Sequence, residues 1–342
     1  MDLKLLEKNK LIRKYRPVIS KNKTYSIYEN NGVLQICFKS RGCSNYHAGS
    51  CIMCDYGVGD NLTKEELAIA FDDAIKESKE NIKILLLNTF GSILDTNEIS
   101  EECFNVLLMK LKETNFDRII FETHCNTITI EKLEIIKKEL GDRTISFEMG
   151  LESANEKIRE ENLLKKIDNK RFIETIKLIH SFGMNVIVNL LVGIPFLSLS
   201  EQLNDCLSSI DWCFINGVDE VDLFPINVKP YTLLKDLYDK NQYKLISHWL
   251  LIEVLNRTAI DNISKIFLAW YGNRELEYEN GEISLFPKSC LNCHNDLRKF
   301  YKEFLANSDA LYRKNLIKSL ILNSKCDCYI NLLKDIEKVV IL

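Results

Sequence analysis

The chain has 342 residues, 46% of them hydrophobic and 27% charged, with a net charge of −4. That length accommodates one large domain plus a smaller one, or one enlarged α/β domain. Sparse proline and glycine (5 and 13) exclude a fibrous or disordered chain, and the acidic balance excludes a surface that is basic throughout.

The opening MDLKLLEKNKLIRKYRP is broken by charges and lacks the apolar stretch of a secretory signal. No apolar run reaches the roughly 20 residues that a spanning helix needs. The expectation is a cytoplasmic protein with no membrane segment, in which residues 1–30 form an N-terminal extension. In that compartment the twelve cysteines are not expected to be disulfides, and clustered ones point to metal or catalysis.

VLQICFK (33–39) reads as a buried strand that runs into a cysteine-rich loop. A helix follows at 63–79, where Thr63 and Glu66 have the spacing of a capping box. IKILLLN (82–88) is a second strand, then a helix from Ser100 to about 113, a strand at 117–122 and a helix at 129–140. TISFEMGLE (144–152), a helix at 168–182, MNVIVNLLVG (184–193), a helix at 199–215 and VDEVDLF (218–224) continue the alternation. Strands this apolar are covered on both faces, so the sheet is expected to be parallel. Six β/α units fit a partial barrel or an open doubly wound sheet, and in both the chemistry sits at the C-terminal strand ends. From about 236 onward the periodicity is helical, and 236–342 reads as a mainly helical C-terminal lobe.

The loop after the first strand holds Cys43, Cys51 and Cys54. Cys51-Ile-Met-Cys54 is a chelate spacing shared by zinc and iron–sulfur sites. Three thiols with His47 would make a closed zinc knuckle. Three thiols alone suit a [4Fe-4S] cluster with one iron left open, and the glycines at 42, 49, 57 and 59 would let backbone pass close to it. Position on the active rim favours the cluster. Near the end of the chain, Cys290, Cys293, Cys326 and Cys328 form two close pairs. Four thiolates close a site, so these read as a zinc clamp or a second, fully ligated cluster, with His294 as a substitute for Cys328. Cys37, Cys103, Cys125, Cys206 and Cys213 read as packing thiols, and Trp212, Trp249 and Trp270 as core.

RGCSNYHAGSCIMCDYG (41–57), NTFGSILDTNEIS (88–100), FETHCNTIT (121–129), GLESANEKIREENLLKK (150–166) and INVKPYTLLKDLYDK (226–240), in that order, resemble the radical SAM superfamily. Within it they resemble the archaeosine-synthesis radical SAM lyases (RaSEA), relatives of the Elongator catalytic subunit. Seven then two residues separate the loop cysteines, where the superfamily usually has three then two. The resemblance implies a radical SAM core of partial (β/α)6 TIM-type barrel at 31–235, with the helical lobe at 236–342. It implies that Cys43, Cys51 and Cys54 hold the cluster and that S-adenosyl-L-methionine (SAM) chelates the open iron. Gly91 and Ser92 would offer acceptors to the SAM amino group and Glu122 would pair with it. Glu152 and Asn189 would meet the ribose, Lys165 the carboxylate, and Gly193 would let backbone approach adenine. For Glu122 and Glu152 the alternative is capping of the next helix, and for Lys165 and Lys166 a solvated face. His124 receives no role.

The reaction implied is reductive cleavage of SAM to a 5′-deoxyadenosyl radical, then cleavage or rearrangement of an amine-bearing substrate, RaSEA-like on a tRNA base or on a small metabolite. An electron donor such as flavodoxin or ferredoxin would be needed, and a partner protein could supply tRNA binding. Two alternatives stand: a radical SAM 3-amino-3-carboxypropyl transferase, and a non-enzymatic zinc-binding adaptor.

Overall fold

The computed structural model of the chain describes residues 3–14, 24–57, 59–79, 81–269 and 284–338, so Trp270 lies outside the described residues. Among the described residues there are eight strands: β1 Tyr25–Asn30, β2 Val33–Phe38, β3 Ile84–Asn88, β4 Arg118–Thr123, β5 Thr144–Glu152, β6 Asn185–Val192, β7 Glu220–Pro225 and β8 Ile266–Leu268. They form one sheet in the order β1 to β8, antiparallel between β1 and β2 and parallel throughout the rest. Strictly sequential order separates the two architectures that the strand pattern left open. A doubly wound sheet reverses its order at a switch point, whereas a barrel adds each strand beside the last. This is an open half-barrel with its helices outside.

The six predicted strands lie within two residues of β2 to β7. Two further strands were not expected. β1 forms a hairpin with β2 through Asn31 and Gly32, at φ 47° and 78°. Asn-Gly is the residue pair that such a turn favours, so this signal was present in the sequence. β8 belongs to the region read as helical, and three residues are too few to show a period of two. Both Thr63 and Ser100 cap the helices they were expected to open, and Thr63 and Glu66 complete the capping box.

Alternation within the strands assigns the two faces of the sheet. Leu85, Leu87, Ile119, Phe121, Ile145, Phe147, Val186, Val188, Val221 and Leu223 are fully or nearly fully buried under the helices. Phe121 and Phe147 stack with their centroids 5.9 Å apart across β4 and β5. The intervening residues, on the inner face of the curl, include Asn88, Glu122, Glu148, Asn189 and Asp222. Register places Glu122 opposite Glu148, and Asn189 opposite both Gly150 and Asp222. The apolar outer face stabilises the sheet by burial, and the inner face is polar.

The C-terminal helices Leu291–Ala306, Ala310–Leu322 and Cys328–Glu337 pack on the helices His248–Arg257 and Leu199–Ile215 and on β8. Arg313 pins this lobe to the sheet. It is fully buried and donates to the carbonyls of Phe304, Asn307, Ile263, Ser264 and Ile266 at 2.7–3.2 Å. Replacing it leaves buried carbonyls without a donor, each costing about 1–3 kcal/mol. Arg313→Met should therefore lower the unfolding free energy by at least about 3 kcal/mol, read by urea titration. A loss below about 1 kcal/mol would show that the carbonyls find other donors.

Candidate functional site

The loop that follows β2 is too irregular to hold its own shape, and neighbouring elements hold it. Cys43 precedes a single helical turn, Ser44–His47, and its N–H lies 3.1 Å from the carbonyls of both Tyr56 and Phe90. The Cys51 and Ile52 amides donate to the carbonyls of Leu164 and Leu163 at 3.3 and 3.0 Å, and the Cys54 amide to the Cys51 carbonyl at 3.0 Å. Gly42 and Gly57 touch where the loop closes on itself: a Cβ on Gly42 would fall 2.5 Å from the Gly57 Cα. The close approach for which these two glycines are needed is thus within the loop. From the far side of the half-barrel, Lys229 pairs with Asp55 at 2.9 Å and lies over the Tyr56 ring.

The N-terminal helix Leu3–Lys14 forms a second clamp. Its Arg13 donates to the carbonyls of Tyr46, Ser50 and Cys51, the latter two at 2.6 and 2.8 Å, and reaches that of Cys54 at 3.4 Å. The guanidinium lies 3.8 Å from the centroid of the Tyr46 ring. Burial lowers the pKa of Arg13, while Cys54, Tyr46, Cys51 and Cys43 oppose that shift, which sets its charge beside all three thiols. Asn9, fully buried on the same helix, donates to the Gly49 carbonyl at 2.8 Å. Nothing local in KNKLIRK distinguishes Arg13 from its basic neighbours, so sequence reasoning missed it.

Glu98 is a further residue that the sequence did not reveal. It is buried, and it accepts from the Ser92 amide at 3.0 Å, the Thr89 hydroxyl at 2.9 Å and the Ser40 hydroxyl at 3.3 Å. Ser40 in turn accepts the Gly42 amide at 3.1 Å. The carboxylate therefore links the loop after β2 to the loop after β3, and Gly91 leaves room for it. Burial pushes its pKa up to about 7.

The strand-end residues fall into three groups. Lys165 is buried and Lys166 exposed; the Lys165 ammonium meets Glu152 at 2.6 Å and the Gly150 carbonyl at 2.7 Å. Burial acts to lower the Lys165 pKa, but Glu152, Cys51 and Cys43 outweigh it and hold the pKa above the usual lysine range. Glu152 sits at φ 71°, where the register between β5 and β6 shifts. The buried Arg159 fixes the connecting segment by donating to Ser153, to the Ile167 carbonyl at 2.5 Å and to the Asn169 side chain at 2.7 Å.

The second group is on the inner face. Glu122 accepts from Asn88 at 2.6 Å and Glu148 from Asn189 at 2.8 Å, while Asn189 Oδ1 is buried with no partner. The helices after β4 and β5 are capped by Thr129 and Asn155, so capping is not what Glu122 and Glu152 do. Ser92 is tied by its hydroxyl to Thr123 at 2.6 Å and to Thr127 at 2.9 Å. Gly193 stands apart. At φ 101° it presses on Ile226 and Ile246, and its carbonyl accepts the Tyr243 hydroxyl at 3.0 Å.

The loop offers three cysteine thiols, a donor set that would fit a [4Fe-4S] cluster with one iron left open. His47 Nε2 is 2.9 Å from the Arg41 carbonyl. Among the described residues, one group of three or more Cys, His, Asp or Glu ligand atoms lies within 4.8 Å of one another, and it is the C-terminal four cysteines. Burial raises the pKa of Cys51 and pushes that of Cys54 up to about 11, so thiolates here require a compensating positive group. Cys37, Cys103, Cys125, Cys206 and Cys213 are all buried.

The Radical SAM superfamily model matches residues 38–205. An uncharacterised protein of Methanocaldococcus jannaschii is 28% identical over 334 residues, 92% of this chain and 87% of that one. Archaeosine synthase subunit beta of Methanosarcina acetivorans is 28% identical over 236 residues, 66% of this chain and 68% of that one. Among solved structures, Elp3 of Methanocaldococcus infernus is 15% identical with a TM-score of 0.48, covering 69% of this chain and 58% of that one.

Two outcomes follow from the clamps. Arg13→Ala removes charge-assisted hydrogen bonds worth roughly 1.5–3 kcal/mol, and anaerobically purified variant should retain less than half the iron of the parent. Full iron retention would make Arg13 dispensable to the loop. For Glu98, a folded pKa of about 7 lies above the ordinary 4.5. The stability it gives is complete below the unfolded value and is lost as pH rises through about 7, an effect of about 3 kcal/mol. The unfolding free energy of Glu98→Gln should accordingly rise relative to that of the parent between pH 5 and pH 8, read by urea titration. A constant difference across that range would refute the assignment.

Proposed function

From its membership of the radical SAM superfamily, carried by residues 38–205, we propose that this chain cleaves SAM reductively and uses the radical on an amine-bearing substrate. The family implies a [4Fe-4S] cluster and SAM, with a one-electron reductant of the flavodoxin or ferredoxin class. When bound, the cluster supplies the electron that splits SAM into methionine and a 5′-deoxyadenosyl radical, which takes a hydrogen atom from the substrate. The observation that carries the reading is a buried cation, Lys165, held by Glu152 beside Cys51, with the unpartnered Asn189 Oδ1 on the neighbouring strand.

The roles of the chain's own residues follow from charge and hydrogen-bonding capacity. Cys43, Cys51 and Cys54 would hold three irons, and the open coordination position would belong to SAM. Lys165 supplies the positive charge that a carboxylate of SAM needs, and Glu152 is released to a ribose hydroxyl. Asn189 Oδ1 is an acceptor that a second hydroxyl satisfies. Gly91, Ser92 and Glu122 surround the amino-group end, and Gly193 belongs to the apolar wall beside the adenine. Glu122, Glu148 and Asp222 make the inner face acidic, which favours a cationic substrate over an anionic one.

Likeness to a protein named archaeosine synthase subunit beta supports C–N bond cleavage on a modified tRNA base as the specific reaction. A small biosynthetic metabolite is the other substrate class that the acidic face would take.

With dithionite and SAM under anaerobic conditions, the brown protein should release 5′-deoxyadenosine. Accumulation of methylthioadenosine would instead indicate a 3-amino-3-carboxypropyl transferase, and a colourless protein without iron a zinc-binding adaptor. Lys165→Ala should weaken SAM binding at least tenfold, about 1.4 kcal/mol, and Lys166→Ala should leave it unchanged.

A further inference from the structure

The four C-terminal cysteines admit two readings from sequence, one ion or a second cluster, and the geometry separates them. All four sulfurs lie within 4.8 Å of one another, and Cys290 Sγ is 3.4 Å from Cys293 Sγ. A tetrahedral ion with metal–sulfur bonds of roughly 2.3 Å sets its thiolates about 3.8 Å apart. A cubane binds each thiolate on a different iron and so spreads them wider. A disulfide would bring two sulfurs to about 2.05 Å, and every cysteine here is free.

We propose that Cys290, Cys293, Cys326 and Cys328 bind a single tetrahedral divalent ion of the zinc class, supported by the Trp249 indole N–H at the Cys293 sulfur. Each thiol loses its proton on binding, so the complete site carries two negative charges. The surroundings offset that charge. Cys290 is the N-cap of the helix Leu291–Ala306, and Cys328 is the first residue of the helix Cys328–Glu337. Both helices thus direct their positive ends at the ion. Trp249 is fully buried; its N–H lacks a well-aligned acceptor, yet it interacts with the Cys293 thiol. A metal-bound thiolate is the acceptor that this donor needs.

The position defines a structural role. Two helices, Leu291–Ala306 and Ala310–Leu322, separate the two cysteine pairs, so the ion closes a long loop of chain. Beneath it the Trp249 and Tyr329 rings stand 5.4 Å apart, and the Tyr329 hydroxyl donates to Glu253 at 2.6 Å. The ion therefore fastens the start of the last helix to the start of Leu291–Ala306, while Trp249 and Tyr329 seat both against His248–Arg257. The inference does not depend on the proposed radical chemistry.

Metal analysis of the full chain carrying Cys43, Cys51 and Cys54→Ala tests it without interference from the loop. The result expected is one zinc per chain, little iron and no colour. Cobalt loaded in its place should give the intense visible absorption of tetrahedral thiolate coordination. Iron with sulfide in that variant, or no metal at all, would overturn the proposal. Should the triple variant not fold, the same assay on the parent decides, with one zinc expected in addition to the loop iron. Trp249→Phe keeps the ring and removes the donor. In competition with a chelator its zinc affinity should fall roughly tenfold, and an unchanged affinity would remove Trp249 from the site.

Discussion

Between Cys43 and Cys54 the chain has only a single helical turn and a few internal hydrogen bonds, so three thiols that must act together are positioned by what surrounds them. Arg13 gathers its carbonyls from the N-terminal helix, Glu98 couples its entry to the next strand loop, and Leu163 and Leu164 receive its amides. Lys229 reaches it from the far end of the sheet. These contacts come from well-separated parts of the sequence. The loop is ordered only once the sheet has curled, which couples the metal site to the completeness of the fold.

Strain and buried charge concentrate at the same place. Cys51, Glu152 and Leu164 all have positive φ, at 62°, 71° and 55°, a conformation costing about 1–2 kcal/mol for a residue with a side chain. Such backbone persists where the surroundings over-determine it, and here the Cys51–Leu164 hydrogen bond joins two of the three. The Lys165–Glu152 pair pays a desolvation penalty for both partners, which mutual attraction in a shielded site repays incompletely. The pair is therefore weak evidence of a contribution to stability. Arg159 fixes both ends of the segment between the two residues.

The C-terminal lobe has a different logic. Its helices meet the back of the sheet through Arg313 against β8 and through Tyr329 against the helix His248–Arg257, and the four thiols gather two helix ends within the lobe. The lobe is thus fastened behind the sheet, on the side away from the polar inner face.

Much of this was legible in the sequence because the signals are local. Apolar runs of the right length gave six strands, capping residues gave helix starts, and cysteine spacing singled out the four C-terminal thiols that the fold brings together. The ordered segments that resemble radical SAM proteins named the chemistry, and they drew attention to Lys165 over Lys166, which an isolated pair of lysines could not do. Other features are invisible locally. Arg13 and Glu98 look like ordinary surface charges until a chain contact 30 to 60 residues away buries them. Sequential strand order, which makes a half-barrel of what could have been a doubly wound sheet, is a property of the whole sheet. The choice of one ion over a cluster at Cys290, Cys293, Cys326 and Cys328 rests on sulfur separations, and only the packing of two helix ends sets those.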